Sequence, residues 1–168
     1  TKLILLCSPN NPTGNLLDRD AIIELLREFS GIVVVDEAYV QFSDQMSWTA
    51  SIGTYPNLVV LQTFSKAWGM AGLRVGIAFA NEQVIDLFNK VKPPYNVSTP
   101  AQRLVLDALD RRDQIEQTVE HIRTERNGLE SWLSGRRSVQ KVYPSDANFL
   151  LVKVKNVEPL YRSLIEQG

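Results

Sequence analysis

Cysteine and histidine are almost missing: the 168 residues hold one of each, Cys7 and His121. That excludes a disulfide framework within the chain and leaves too few ligands for a zinc site built from protein alone. A single cysteine fits a reducing compartment. No apolar stretch reaches the roughly 20 residues that a membrane-spanning helix needs, and no signal-peptide pattern appears. Charge of one sign is also lacking. Lys and Arg number 18 and Asp and Glu 19, interspersed, for a net charge of −1, so there is no basic block to meet a nucleic-acid backbone. Repeats and low-complexity tracts are absent too. The chain has no initiator Met, opens directly into LILLC and stops at IEQG, which leads us to expect an internal piece of a longer protein.

What is present is enough apolar material, 44 % of residues, for a compact core. LILLC (3–7) is a short apolar run closed by the turn residues SPNNPTG. Residues 18–29 carry apolar positions at 21, 22, 25, 26 and 29, a helical spacing, with Asp18 as the cap and Gly31 as the stop. IVVVDEAY (32–39) and LVVLQTF (58–64) read as strands buried on both faces, and LRVGIAFA (73–80) as another, with a polar loop between the first two. Asn81 opens a helix to about residue 90. Buried strands alternating with helices predict an α/β domain with a mostly parallel sheet. KPPYNVSTP (92–100) breaks the pattern, and helices follow at 99–111 and 113–134. Strands in SVQKVY and NFLLVKV and a helix at 157–167 give the remainder an α+β character. The expected division is 1–95 in a larger domain, 96–134 as connecting helices and 135–168 as the start of a smaller domain.

In open α/β sheets, ligands bind outside the carboxyl ends of the strands. Three polar clusters fall at such ends: Asn10-Asn11, Asp36-Glu37-Ala38-Tyr39 and Thr63-Phe64-Ser65-Lys66. If the strands share a sheet, one cleft collects an amide, a carboxylate, a phenol, two hydroxyls and Lys66, with Arg74 eight residues on. Each residue also has a structural reading. Asn11 before Pro12 is ordinary turn chemistry, Asp36 and Glu37 mark the chain leaving the core, Tyr39 packs, and Arg74 pairs a surface carboxylate. A lone lysine is far more often solvated than catalytic. The glycines at 69, 72 and 76 do not form a dinucleotide fingerprint.

The segments SPNNPTGN, VVVDEAYVQF and TFSKAWGMAGLRVG, in this order, resemble the class II aminotransferases of fold type I that use pyridoxal 5′-phosphate. The similarity continues through PPYNVSTPAQ and ANFLLVKV and so covers nearly the whole chain. The resemblance implies a three-layer α/β transferase fold with a mostly parallel central sheet, a cytoplasmic homodimer, and two small-molecule substrates, an amino donor and a 2-oxo acid. It implies neither a nucleic-acid nor a membrane partner, and no metal.

By the same resemblance Lys66 is the covalent anchor and the catalytic base, its amine kept neutral by burial and a nearby positive charge. Asp36 faces the ring nitrogen, Asn11 and Tyr39 the ring's phenolic oxygen, and Arg74 with Thr63 and Ser65 the phosphate. These roles fit the chemistry of the residue types. A buried anion keeps a pyridine nitrogen protonated, and a forked guanidinium suits a phosphate better than an ammonium does. Asn148, Tyr95 and Asn96 are weaker candidates, each also explained by turns. His121 lies beside the apolar stripe of its helix and is expected in solvent, and Cys7 is expected as a small buried hydrophobe. In the family, the aromatic residue stacked on the cofactor ring and part of the phosphate cradle precede the first residue here, and the arginines for the substrate carboxylate follow the last. Two alternatives stay open: another enzyme of this fold, such as a threonine-phosphate decarboxylase or an aromatic or aspartate aminotransferase, and a non-catalytic aminotransferase-like sensor module of a transcription regulator.

Overall fold

A computed structural model describes residues 1–167. Strands β1 (Leu3–Cys7), β2 (Ile32–Asp36), β3 (Leu58–Thr63) and β4 (Gly76–Ala80) form one sheet in the order β1-β2-β3-β4. The first three are parallel, in the register Cys7↔Asp36↔Leu61, so their carboxyl ends share one edge. β4 runs antiparallel to β3, with Gly76 opposite Thr63, which brings its amino end to that same edge.

Helix α1 (Arg19–Glu28) links β1 to β2, and Asp18 caps it by accepting the Ala21 N–H at 2.8 Å. Its apolar stripe places Ile22 and Leu26 on Val33, Val35, Leu58 and Val60. The helix ends at Glu28, with Phe29 as the cap residue. Gly31 serves a different purpose from a stop: a Cβ there would stand 2.4 Å from the Lys2 carbonyl oxygen and 2.6 Å from the Phe29 ring.

Helix α2 (Glu82–Val91) starts from Asn81, which accepts the Val84 N–H at 2.9 Å. After the Pro-rich break come α3 (Thr99–Leu109) and α4 (Arg112–Ser134). Strands β5 (Val139–Tyr143) and β6 (Leu151–Val154) pair antiparallel in a separate two-stranded sheet, and α5 (Val157–Glu166) follows.

Three expectations are corrected. β2 and β3 are buried as predicted, but β1 and β4 are outer strands of this sheet, so Leu3 and Leu5 are exposed and Cys7 is exposed rather than buried. An apolar run cannot report which strand lies in the middle of a sheet. The strand expected from residue 73 begins at Gly76, because Ala71–Leu73 form a 3₁₀ turn and Arg74 adopts a left-handed backbone (φ 56°) that interrupts extension. The segment expected as a polar loop folds into two 3₁₀ turns, Val40–Phe42 and Trp48–Ser51, whose Phe42 and Trp48 are almost wholly buried. Burying two such rings contributes about 2–3 kcal/mol each.

Candidate active site at the carboxyl edge of the sheet

The loop after β1 builds itself from local hydrogen bonds. The Gly14 N–H donates to the Asn10 carbonyl at 2.7 Å, and Asn10 Nδ2 donates to Thr13 Oγ1 at 2.7 Å. Ser8, buried, receives the Leu17 N–H on its hydroxyl at 3.0 Å. Gly14 has φ +77°, and a Cβ there would stand 2.4 Å from Ser145 Oγ, so this turn seats against the β5–β6 connection. The Asp146 N–H closes the contact by donating to the Gly14 carbonyl at 2.7 Å. The loop presents Asn11, whose Nδ2 donates to Tyr39 Oη at 2.9 Å.

Asp36 and Glu37, adjacent in sequence, do different things. Asp36 ends β2, and its Oδ1 accepts the Ala38 N–H at 2.9 Å. Beside it the Cys7 thiol is pushed above its ordinary value, first by partial burial and second by the Asp36 carboxylate. Glu37 turns the other way and is only 1 % exposed. It accepts the Trp48 N–H at 2.7 Å, the Ser47 hydroxyl at 2.5 Å and Gln62 Nε2 at 2.9 Å. This carboxylate ties the 3₁₀ excursion to β3, a role that its place in the sequence did not reveal. No spacing rule connects Glu37 to Ser47, Trp48 and Gln62.

The segment Phe64–Val75 leaves the sheet edge and returns to it. Phe64 and Val75 are buried together with Ala101, and the Phe64 N–H donates to the Val75 carbonyl at 3.2 Å. Phe64 and Ala67 take the inward positions, which turns Lys66 outward. Lys66 is therefore exposed, contrary to the burial expected for it. Its Nζ lies 5.3 Å from the centroid of the Tyr39 ring.

Thr63 commits its hydroxyl to the turn, accepting the Ser65 N–H at 3.0 Å and donating to the Val75 carbonyl at 3.4 Å. Among the described residues the Ser65 hydroxyl has no hydrogen-bond partner. Arg74 is exposed and donates from Nη1 to the Ala71 carbonyl at 3.1 Å, and no carboxylate pairs with it among the described residues.

The topology thus brings Asn11, Asp36, Tyr39, Thr63, Ser65, Lys66 and Arg74 to one edge of the sheet, and direct contacts join Asn11, Tyr39 and Lys66. A cavity of about 550 Å³ behind this turn, between Gln62, Trp68 and the α4 residues Ile115 and Val119, includes none of them. Of the weaker candidates, Asn148 is exposed, and Tyr95 is 97 % exposed with φ 59°. His121 is exposed, as expected. Among the described residues no cluster of His, Cys, Asp and Glu could hold a metal ion, and no helix is long and apolar enough to cross a membrane.

Comparison with known proteins bears on the fold and the family. The chain is 48 % identical to the histidinol-phosphate aminotransferase of Flavobacterium johnsoniae over 168 residues, covering all of this chain and 48 % of that protein. It is 49 % identical to the enzyme of the same name from Parabacteroides distasonis, again over the whole chain and 49 % of the relative. The chain therefore spans about half the length of the curated relatives it matches. Among solved structures, the histidinol-phosphate aminotransferase of Clostridium acetobutylicum superposes with a TM-score of 0.91 at 25 % identity, over 99 % of this chain and 52 % of that one. The L-threonine-O-3-phosphate decarboxylase of Porphyromonas gingivalis superposes with a TM-score of 0.84 at 28 % identity, over 99 % and 52 %. The α/β architecture is that of fold type I. Residues 1–168 match the family described as aminotransferase class I and II, and to that family the chain belongs.

Proposed function

We propose that this segment, within a longer chain, is the lysine-bearing half of a pyridoxal 5′-phosphate site that moves the amino group of histidinol phosphate to 2-oxoglutarate, giving imidazole acetol phosphate and glutamate in histidine biosynthesis. The observation that carries the reading is the convergence of Lys66, Asp36, the Asn11–Tyr39 pair and Arg74 on one sheet edge. The donor set fits the cofactor. Arg74 has no carboxylate partner among the described residues and Ser65 has a free hydroxyl, as a phosphate requires, while Asp36 lies half-buried at a strand end, as a ring nitrogen requires. When bound, pyridoxal 5′-phosphate supplies an aldehyde for amines and a ring that draws off electron density as the α-proton leaves.

The residues then have separate tasks. The Lys66 amine would anchor the cofactor and, as a free amine, would take and return the substrate's α-proton. Asp36 would hold a proton on the ring nitrogen. The Tyr39 hydroxyl, met by Asn11, would serve the ring's phenolic oxygen. Arg74 and Ser65 would hold the phosphate, and Thr63 shapes the turn that carries them. Residues 1–95 belong to the cofactor-binding domain, 96–134 connect, and 135–168 begin the smaller domain. The full-length protein is a cytoplasmic homodimer, and residues 1–168 alone are inactive.

A second reading is favoured by one observation, the likeness to the Porphyromonas decarboxylase at 28 % identity. The experiment assays the full-length protein with histidinol phosphate and 2-oxoglutarate and, separately, with L-threonine-O-3-phosphate, then maps the site of borohydride-fixed cofactor. Turnover of the first pair, with the label on Lys66, is expected. Carbon dioxide release from the second substrate alone moves the assignment to the decarboxylase. A label on Lys90 or Lys92 overturns the anchor.

A further inference from the structure

Tyr39 is held by more than Asn11. Its ring is 8 % exposed, and Phe149, half-buried, meets it almost perpendicularly (86°) with the centroids 5.3 Å apart. Edge-to-face pairs of this kind fix the angle of both rings as well as burying area. Phe149 stands between β5 and β6, far along the chain from Tyr39, so its own placement needs an anchor. Arg126 of α4 provides one. Its Nη1 donates to the Ala147 carbonyl at 2.8 Å and to the Phe42 carbonyl at 3.3 Å, pinning the residues just before Phe149 to those just after Tyr39. Ala147 is wholly buried in the same cluster as Tyr39 and Phe42, which leaves that segment little room to shift.

A tyrosine turns about two bonds: rotation about Cβ–Cγ flips the ring plane and leaves the oxygen on its axis, whereas rotation about Cα–Cβ sweeps the oxygen through an arc, and that arc is limited by what touches the ring. Asn11 engages the oxygen, Lys66 lies over the ring and Phe149 stands against it at right angles. Asn11 belongs to a turn that itself rests on Ser145 and Asp146, so both ends of the Asn11–Tyr39 hydrogen bond are braced by residues 145–149.

We propose that Phe149 is a positioning residue for Tyr39, its perpendicular ring, anchored through Arg126, holding the Tyr39 hydroxyl where Asn11 meets it. The inference rests on the cofactor reading above, because the position of that hydroxyl matters to a ligand oxygen placed beside it. With the cofactor bound, the Tyr39 hydroxyl would donate to its phenolic oxygen and favour the deprotonated form, so withdrawing that hydroxyl would raise the pH at which the visible absorbance changes.

The test titrates the visible absorbance of the full-length, cofactor-loaded protein against pH, for the parent, Tyr39→Phe, Phe149→Leu, Phe149→Tyr and the Tyr39→Phe/Phe149→Leu pair. Tyr39→Phe is expected to raise the midpoint. Phe149→Leu is expected to raise it as well, by about half a unit or more, roughly a threefold change in proton affinity. Phe149→Tyr, which keeps a ring in place, stays at the parent midpoint. The pair matches Tyr39→Phe alone, since residues acting through one contact do not add. An unmoved midpoint in Phe149→Leu beside a moved one in Tyr39→Phe overturns the inference, and so do fully additive shifts. A parent without a visible band, or a Tyr39→Phe variant without a shift, overturns the cofactor reading instead. If Phe149→Leu does not fold, Arg126→Lys replaces it. That variant keeps the charge, loses the fork and is expected to raise the midpoint, and no change there also sinks the proposal.

Discussion

Cys7 and Asp36 stand opposite each other in register at the carboxyl ends of neighbouring parallel strands, and the thiol is held above its ordinary value by partial burial and by that carboxylate. The thiolate is the reactive form, so alkylation of cofactor-free protein is expected to be slow at neutral pH and to accelerate as pH rises. Asp36→Asn removes the second cause. The thiol value then falls, more thiolate exists at a given pH, and the alkylation rate at pH 7 rises. Equal rates for parent and Asp36→Asn would show that the two groups do not sense each other.

Asp36→Ala is expected to leave the full-length protein folded while slowing transamination severely. Losing a preorganised charge beside a reacting group raises barriers by about 3–4 kcal/mol, a few hundredfold in rate. Steady-state turnover together with circular dichroism decides the matter. A folded variant with near-normal turnover would make the carboxylate only the end of a strand.

Arg74→Lys keeps the positive charge but gives up the planar fork, and the left-handed backbone at this position is strained for either residue. Cofactor affinity is expected to fall by about tenfold, the effect of losing one charge-assisted hydrogen bond. Titration of cofactor back into dialysed protein measures it. Unchanged affinity would place the phosphate elsewhere.

Glu37→Ala strips the partners from the Trp48 N–H, the Ser47 hydroxyl and the Gln62 amide in a site that is almost fully buried. We expect a loss of about 3 kcal/mol, read as a lower urea midpoint at unchanged slope. Glu37→Gln retains the shape and should cost less. A midpoint shift in Glu37→Ala no larger than that of an exposed substitution would mean that the excursion over residues 40–57 holds itself without this carboxylate.

Much of this could be read from residue types alone, wherever the signal is local. Asp18 caps α1 because an aspartate three residues before a free N–H is a local event. The clusters at Asn11, Asp36 and Lys66 were visible because a buried parallel strand must release its chain at one edge. The placement of Arg74 was less visible, since it depends on β4 reversing direction and on one left-handed residue, neither of which apolar periodicity encodes. Cys7 read as buried because strand composition does not distinguish the outer strands of a sheet from its middle. Glu37, Arg126 and Phe149 act through partners distant in sequence, so no window of neighbouring residues could reveal them. The exposure of Lys66 follows from its neighbours Phe64 and Ala67 claiming the interior.

The contact between Gly14 and Ser145 also fixes an order of events during synthesis. Asn11 and Tyr39 leave the ribosome well before Ser145, together with the strands that carry them. The residues that brace them, Ser145 to Phe149, follow only after all of α4 has emerged. Until then the Asn10–Gly14 turn has nothing to rest on, and closing so long a span costs entropy that early local contacts cannot offset. A nascent chain stalled within α4 is therefore expected to hold a formed sheet and an unfinished site, a stage at which a chaperone would find Tyr39 uncovered and a protease would find the turn open.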